Sequence, residues 1–597
     1  MPSSEPAIRL ENSTDRPVDV VVPEQALPSS SLVATETADR AFHAALARLT
    51  GGLSPAAISL AFADWQLHLM TAPGKCAALA GEAFQRSAEL ASALLPRQAS
   101  FSPWSTIRPS RADRRFEGED WELPPFNLIA QAFLLTEHWL HSATDHVRGL
   151  AYPDAAIVDF VLRQCLDTVA PTNFAASNPK VFRKVMETGG GNFMNGMKNW
   201  IEDWQTLLRG GRPDQQLVVG KDVAVTPGKV VYSNDLIELI QYAPSTPTVR
   251  PEPVLIVPAW IMKYYILDLS PHNSLVKFLV ENGFTVFIVS WRNPGPADRN
   301  LSLEDYRERG VDAAIDAIHE ILPGRDIHAA GYCLGGTLLS IAAAKLQRER
   351  PNPLRSVTLL AAQSDFTEAG ELTLFINESQ VAFLEDMMWQ RGVLSPQQMA
   401  GAFQMLRSND LLWSRMVHDY LIGERAPPSD LMSWNADATR MPYRMHSDYL
   451  RHLFLNNDLA EGRYLVDGKP IALSDLRKPM FVVGTMRDHV APWKSVYKIN
   501  LLANADVTFV LANGGHNAGI VAAPDEPEHS YQVLARKSVD PYIGPDEWIK
   551  LAPSHEGSWW SEWVRFLVAH SGAPVSPPPF EAGKVSQDAP GSYVMQR

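Results

Sequence analysis

From about residue 36 to residue 208, apolar residues recur at three- and four-residue intervals, most clearly in 38–49, 125–140 and 193–204. That spacing predicts amphipathic helices, with the aromatic residues facing a core. Near Gln216 the period changes. Segments 216–219, 229–233 and 236–242 read as short strands separated by turn residues. Continuous Val/Ile/Leu runs follow at 254–257, 285–290, 327–332, 356–361, 480–484 and 507–511, alternating with helical stretches. One of those helices carries a capping-box start at Ser302-Leu303-Glu304-Asp305. Buried-type strands alternating with helices predict a parallel sheet covered on both faces. The alternation stops between 363 and 479, where the chain is helical and rich in Met, Phe and Trp. An insertion at that point is expected to lie over the C-terminal edge of the sheet as a cap. The expected organisation is a disordered stretch at 1–35, a helical domain at 36–210 and an α/β domain at 211–570. That α/β domain contains the cap, and a Pro-rich, extended tail at 571–597 follows it.

Composition narrows the function classes. With 597 residues, 46% apolar and 20% charged, the chain has the make-up of a large globular protein. A net charge of −14 without a Lys/Arg block argues against a nucleic-acid partner. The three cysteines, Cys76, Cys165 and Cys333, are far apart, so neither a disulfide framework nor a zinc site is expected. A reducing cytoplasm fits them. The first residues lack the pattern of a signal peptide, and no apolar run is long enough to predict a transmembrane span.

The candidate chemistry sits at Gly331-Tyr332-Cys333-Leu334-Gly335-Gly336, between a strand-like and a helix-like segment. A nucleophile elbow needs this Gly-x-nucleophile-x-Gly arrangement, because the turn brings strand and helix too close for a Cβ at the flanking positions. Cysteine in place of the usual serine points to attack by a thiolate on an activated acyl group. Asp488 follows the run 480–484, and His516 lies in a Gly-rich loop after the run 507–511. The order nucleophile, acid, histidine is that of the α/β-hydrolase fold. The fold class expected is therefore an α/β hydrolase with a helical cap and a helical N-terminal domain. His489, beside Asp488, is a rival base; His516 is preferred because it follows the last strand. The oxyanion hole is expected to use the N–H groups of Leu334 and Ile261.

The same residues carry a resemblance. Gly331–Gly336, the segment 257–271, 289–294, 433–439, Gly484 to His489 and Gly514-Gly515-His516 resemble class I polyhydroxyalkanoate synthases. So do 174–179 and the N-terminal stretch 38–80. The resemblance implies polymerisation of (R)-3-hydroxyacyl-CoA, most simply 3-hydroxybutyryl-CoA, with release of CoA. It implies Cys333 as the acyl carrier, His516 as its activator and Asp488 as the third member. Trp434 and Asp268, within matched segments, are expected near the cap or substrate. No metal and no cofactor beyond the CoA of the substrate is expected. Expected partners are the growing polyester chain and its granule surface in the cytoplasm, a second copy as a homodimer, and a phasin. Two departures stand out. Pro258-Ala259-Trp260-Ile261-Met262 replaces the family's Pro-Pro-Trp-Ile-Asn, and His446-Ser447-Asp448 replaces Tyr-Cys-Trp before Tyr449-Leu450-Arg451. A Cys-dependent thioesterase or intracellular depolymerase, or a non-catalytic granule protein, are the rival readings.

Overall fold

A computed structural model describes residues 30–93, 107–109, 113, 115–209, 217–349, 351–399, 401, 408, 412–425, 427, 429–524, 528–580 and 587–597. Its centre is an eleven-stranded sheet. The strands are β1 (Gly228–Ser233), β2 (Ile237–Tyr242), β3 (Val254–Val257), β4 (Val286–Trp291), β5 (Ile327–Tyr332) and β6 (Leu354–Leu360). They continue as β7 (Met480–Thr485), β8 (Val507–Ala512), β9 (Ser530–Arg536), β10 (Ser554–Glu556) and β11 (Gln587–Asp588). The spatial order is β10-β9-β8-β7-β6-β5-β3-β4-β2-β1-β11. The six strands from β4 to β8 in that order pair in parallel, and both flanks are antiparallel.

Residues along the central strands alternate between two cores. Leu255, Val257, Phe287 and Val289 enter one, and Val254, Ile256, Val286 and Ile288 enter the other. Both faces are therefore buried, as a run of continuous Val and Ile requires. The helix Trp560–Ala569 covers one face, and its tryptophans carry polar tips that need partners. Trp563 Nε1 donates to Thr358 Oγ1 at 3.0 Å, while Trp559 and Trp560 donate to the carbonyls of Gly519 and Ile520, both at 2.9 Å. The latter pair anchors the loop that follows β8.

Helices α1 (Ser30–Leu49), α2 (Pro55–Met70), α3 (Pro73–Ala93), α4 (Phe126–Thr144), α5 (Tyr152–Thr168), α6 (Pro179–Thr188) and α7 (Gly191–Leu208) precede the sheet. Helix α1 and the turn after it dock on a helix of the inserted region, Glu378–Arg391. Gln380 accepts from the Ser54 N–H and donates to the Gly52 carbonyl, each at 2.7 Å. Helix α7 reaches the same region further on. Asn192 and Asn199 donate to the carbonyls of Leu421 and Asp419, and Gly196 lies so close to the Tyr420 carbonyl that no side chain would fit.

Several local expectations are revised. Helix α1 begins at Ser30, inside the stretch expected to be disordered, whose remainder lies outside the described residues. Segment 216–219 is no strand. Residue 216 is outside the described residues, and 217–223 form a turn in which Asp222 accepts from the Val218 N–H at 2.9 Å. The hydrogen bonds that would extend a strand are spent closing that turn. The antiparallel strands β9 and β10 were not anticipated. The final residues also return to the sheet, with β11 pairing to β1. There the buried Glu238 accepts from the Ser592 and Tyr593 N–H groups and from the Ser592 hydroxyl. The Pro-rich segment 576–579 only approaches this anchored end. Exchanging Glu238 for Ala leaves those donors without their acceptor. It is expected to reduce stability by about 1.5–3 kcal/mol and to expose residues 587–597 to proteolysis, measurable by urea denaturation and limited digestion.

Candidate active site

The site is built on the turn from β5 into helix α8 (Leu334–Leu346). Cys333 occupies it at φ 52°, ψ −124°, a conformation that side chains other than glycine rarely adopt. Three neighbours explain how the turn closes. A Cβ on Gly331 would strike the backbone of Gly336, one on Gly335 the carbonyls of Val257 and Pro258, and one on Gly336 the Ala362 side chain. The Cys333 N–H donates to the Leu360 carbonyl at 2.9 Å, which ties the turn to β6. The Cys333 side chain stands partly exposed between the two cores, in contact with both.

The loops after β7 and β8 bring Asp488 and His516 to the same edge. His516 Nδ1 lies 2.7 Å from Asp488 Oδ2, and the imidazole is close enough to Cys333 for the sulfur's charge to act on it. Asp488 also accepts from Thr485 Oγ1 at 3.0 Å and from the N–H groups of Val490 and Ala491 at 2.9 and 2.8 Å. Burial would raise its pKa, but the imidazolium and these donors hold it below the ordinary carboxylate range. Burial likewise pulls His516 down, yet the charges of Asp488 and Cys333 raise it well above the usual histidine range. A histidine so raised holds a proton at neutral pH. Of the two histidines, His516, after β8, is bonded to Asp488 at 2.7 Å.

Residues without a sequence-assigned role complete the frame. The Tyr332 ring lies 5.7 Å from that of His516, and its hydroxyl donates to Asn517 Oδ1 at 2.6 Å. Asn517 Nδ2 reaches Asn435 of the inserted region at 3.4 Å. Both residues adjoin a motif residue, Cys333 or His516, and that adjacency was the only signal for them. Leu334 is the first residue of α8, so its N–H has no intrahelical acceptor. The loop carrying Ile261 passes against Gly335 and is pinned by the inserted region: the Thr439 N–H donates to the Ile261 carbonyl at 3.1 Å and its hydroxyl to the Trp260 carbonyl at 2.5 Å. Trp434 is buried and donates to the Lys263 carbonyl at 2.7 Å, so it too fastens this loop. Asp268 is placed differently. It is buried in a polar cluster, accepting from Thr226, Ser274 and Tyr242, and no contact joins it to Cys333, Asp488 or His516 among the described residues. Burial raises its pKa despite those donors. Among the described residues there is no grouping of three or more His, Cys, Asp or Glu that could hold a metal ion, and no helix long and apolar enough to cross a membrane.

Comparison with known proteins fits this geometry. Residues 112–279 match the profile described as the N-terminus of poly-beta-hydroxybutyrate polymerase, 33–75 match a second N-terminal profile of the same enzyme, and 252–523 match the alpha/beta hydrolase fold. The poly(3-hydroxyalkanoate) polymerase of Methylorubrum extorquens is 41% identical over 499 residues, covering 82% of each chain. The polymerase subunit of Cupriavidus necator is 36% identical over 492 residues, covering 81% of this chain and 83% of its own. The chain belongs to the poly(3-hydroxyalkanoate) polymerase family. A monoacylglycerol lipase from Paleococcus ferrophilus aligns at 14% identity over 56% of this chain and 99% of its own, with a TM-score of 0.32. The expected fold class, an α/β hydrolase, thus holds for this polymerase relative.

Two consequences are measurable. Gly335→Ala forces the helix start away from the loop after β3 and is expected to cost at least about 3 kcal/mol in a denaturation experiment. The Asp488–His516 pair gives a pH signature. A raised histidine stabilises fully below its unfolded value of 6.5 and loses that contribution as pH rises towards its folded value. A lowered aspartate contributes above 3.8 and loses it as pH falls. The stability lost in Asp488→Asn should therefore be largest between about pH 4 and 6.5 and shrink on either side, read from denaturant melts across pH.

Proposed function

We propose that this protein polymerises (R)-3-hydroxyacyl-CoA, with 3-hydroxybutyryl-CoA as the preferred substrate, through a thioester on Cys333. The observation that carries the reading is a cysteine in a strained elbow, within electrostatic reach of a histidine that is itself bonded to a buried aspartate, in a chain of the polymerase family.

The Cys333 thiolate attacks the thioester carbon of the substrate. The oxyanion forms beside the Leu334 N–H, with the loop of Ile261 opposite it as the second donor. The carbon–sulfur bond to CoA breaks, and the CoA sulfur takes the proton stored on His516, so CoA leaves as a thiol. His516 is now neutral. It takes the proton of the 3-hydroxyl of a second acyl group while that oxygen attacks the acyl-Cys333 carbonyl, and the Cys333 thiolate departs. One ester bond has formed and the imidazolium is restored. Thioester-to-thioester transfer is nearly balanced, so the sulfur can pass the acyl group on. A serine ester would lie lower and stall. Asp488 keeps the imidazole oriented and supports its charge.

Water competes with the second hydroxyl, and the apolar residues of the inserted region supply a reason for its exclusion. A thioesterase of the same fold differs only in that competition. The product grows into a polyester whose granule surface, together with a second copy of the chain and a phasin, makes up the surroundings this reading assigns to it.

Cys333→Ala is expected to abolish CoA release from 3-hydroxybutyryl-CoA while the protein stays folded, and Cys333→Ser to retain only a trace. Retained turnover in the Ala variant sinks the assignment. The wild-type product should be polymer; free 3-hydroxybutyrate would make the protein a thioesterase.

A further inference from the structure

Buried side-chain polar atoms in folded proteins have partners, and each exception calls for a reason. Two exceptions adjoin in the helix Tyr443–Asp448 of the inserted region: His446 Nδ1 and Ser447 Oγ have no hydrogen-bond partner. Their residues are only 5% and 8% exposed. The His446 ring lies nearly parallel to that of Tyr449, with centroids 6.2 Å apart and planes at 28°, as positions i and i+3 of a helix allow. Tyr449 packs on the same core cluster as Cys333, and the sulfur is near enough for its charge to oppose ionisation of the Tyr449 phenol, after burial has already raised it. Phe366, in the loop after β6, closes edge-on against Tyr449 at 6.2 Å. His446 therefore contacts a ring, that of Tyr449, which lies within electrostatic reach of the sulfur.

The packing does not need this polarity. A leucine of similar volume would fill the site without leaving a nitrogen stripped of water. Burial pulls the His446 pKa down to about 4. At neutral pH the ring is then uncharged, with one donor and one acceptor nitrogen. That suits a hydroxyl, which both gives and takes a hydrogen bond. On the polymerase reading given above, on which this inference rests, an acyl group on Cys333 carries two oxygens. Its carbonyl oxygen turns to the N–H groups beside Leu334. Its 3-hydroxyl, two carbons further from the sulfur, lies under an otherwise apolar wall.

We propose that His446 is a specificity-determining residue that binds the 3-hydroxyl of the incoming hydroxyacyl group through the nitrogen left unpaired at the Tyr449 wall. Ser447 is the adjoining polar group. The role is to select hydroxylated acyl chains and to hold the hydroxyl in one orientation.

The test is single-turnover acylation of Cys333, followed by rapid quench and mass spectrometry, with 3-hydroxybutyryl-CoA and with butyryl-CoA, which lacks the hydroxyl. The wild type is expected to acylate about tenfold or more faster with the hydroxylated substrate. His446→Leu should lose that preference by slowing the hydroxylated substrate alone, and His446→Asn, which keeps a polar atom near Nδ1, should recover part of it. The butyryl-CoA arm serves as the control for folding. Parallel loss on both substrates in the Leu variant makes the residue structural and overturns the proposal. So does an undiminished preference, the result expected if Nδ1 merely holds a water. If wild-type Cys333 takes up an acyl group from neither substrate, the polymerase reading falls, and the inference with it.

Discussion

The turn at Cys333 is the constraint on which the rest of the site depends. Its left-handed backbone is unfavourable for a side-chain-bearing residue, by about 1–3 kcal/mol, and it persists only because the surroundings leave no alternative. Helix α8 starts against the carbonyls of Val257 and Pro258, with Gly335 as the contact. The same contact lays the loop 258–262 beside the helix N-terminus. One steric fact thus places two neighbours of the sulfur: the histidine loop at the sheet edge, and the loop 258–262, which cannot move away without opening the turn.

The charges follow from that placement. Asp488 has no exposed side-chain surface and His516 little, so neither would ionise there alone. They do so together, with Thr485, Val490 and Ala491 adding donors to the carboxylate. Buried ion pairs are weak contributors to stability because desolvation offsets most of the attraction. What this pair does fix is a proton held on His516 beside Cys333. Its loop is fixed from beneath by Trp559 and Trp560, so the imidazole is oriented by the core of the domain rather than by the loop itself.

Much of this was legible in the chain. The central strands announced themselves as unbroken β-branched runs, because both faces are buried, and Ser302-Leu303-Glu304-Asp305 caps its helix with Asp305 accepting from the Ser302 N–H at 2.8 Å. Cys333, Asp488 and His516 could be read because each follows a strand in a fixed order. What could not be read depends on contacts between distant segments. Strand β9 is half-exposed, so its sequence lacks an apolar run. Glu238 looks like a surface residue of a strand until the final residues are laid over it. Asp268 sits in a segment that carries the family resemblance, but an aspartate there can be held by Thr226 and Ser274 as well as by a substrate. The isolation of His446 Nδ1 is invisible in sequence, since an absent partner leaves no pattern.

The inserted region joins these levels. It is fastened at one stretch by Trp434 to Lys263 and by Thr439 to Trp260 and Ile261. Arg440 continues the fastening to the Pro294 and Arg597 carbonyls, and Lys263, nearly buried, donates to the carbonyls of Tyr593 and Gln596. A swing of residues 434–440 would break the bonds of Trp434, Thr439 and Arg440 at once and leave the loop of Ile261 without its fastening to the insertion. A movement of the insertion that keeps these bonds must draw on its other parts. Those other parts are the ones that helices α1 and α7 touch, through Gln380, Leu421 and Asp419. The N-terminal helices are thus mechanically connected to the portion of the insertion that lies apart from the stretch fastening the loop of Ile261.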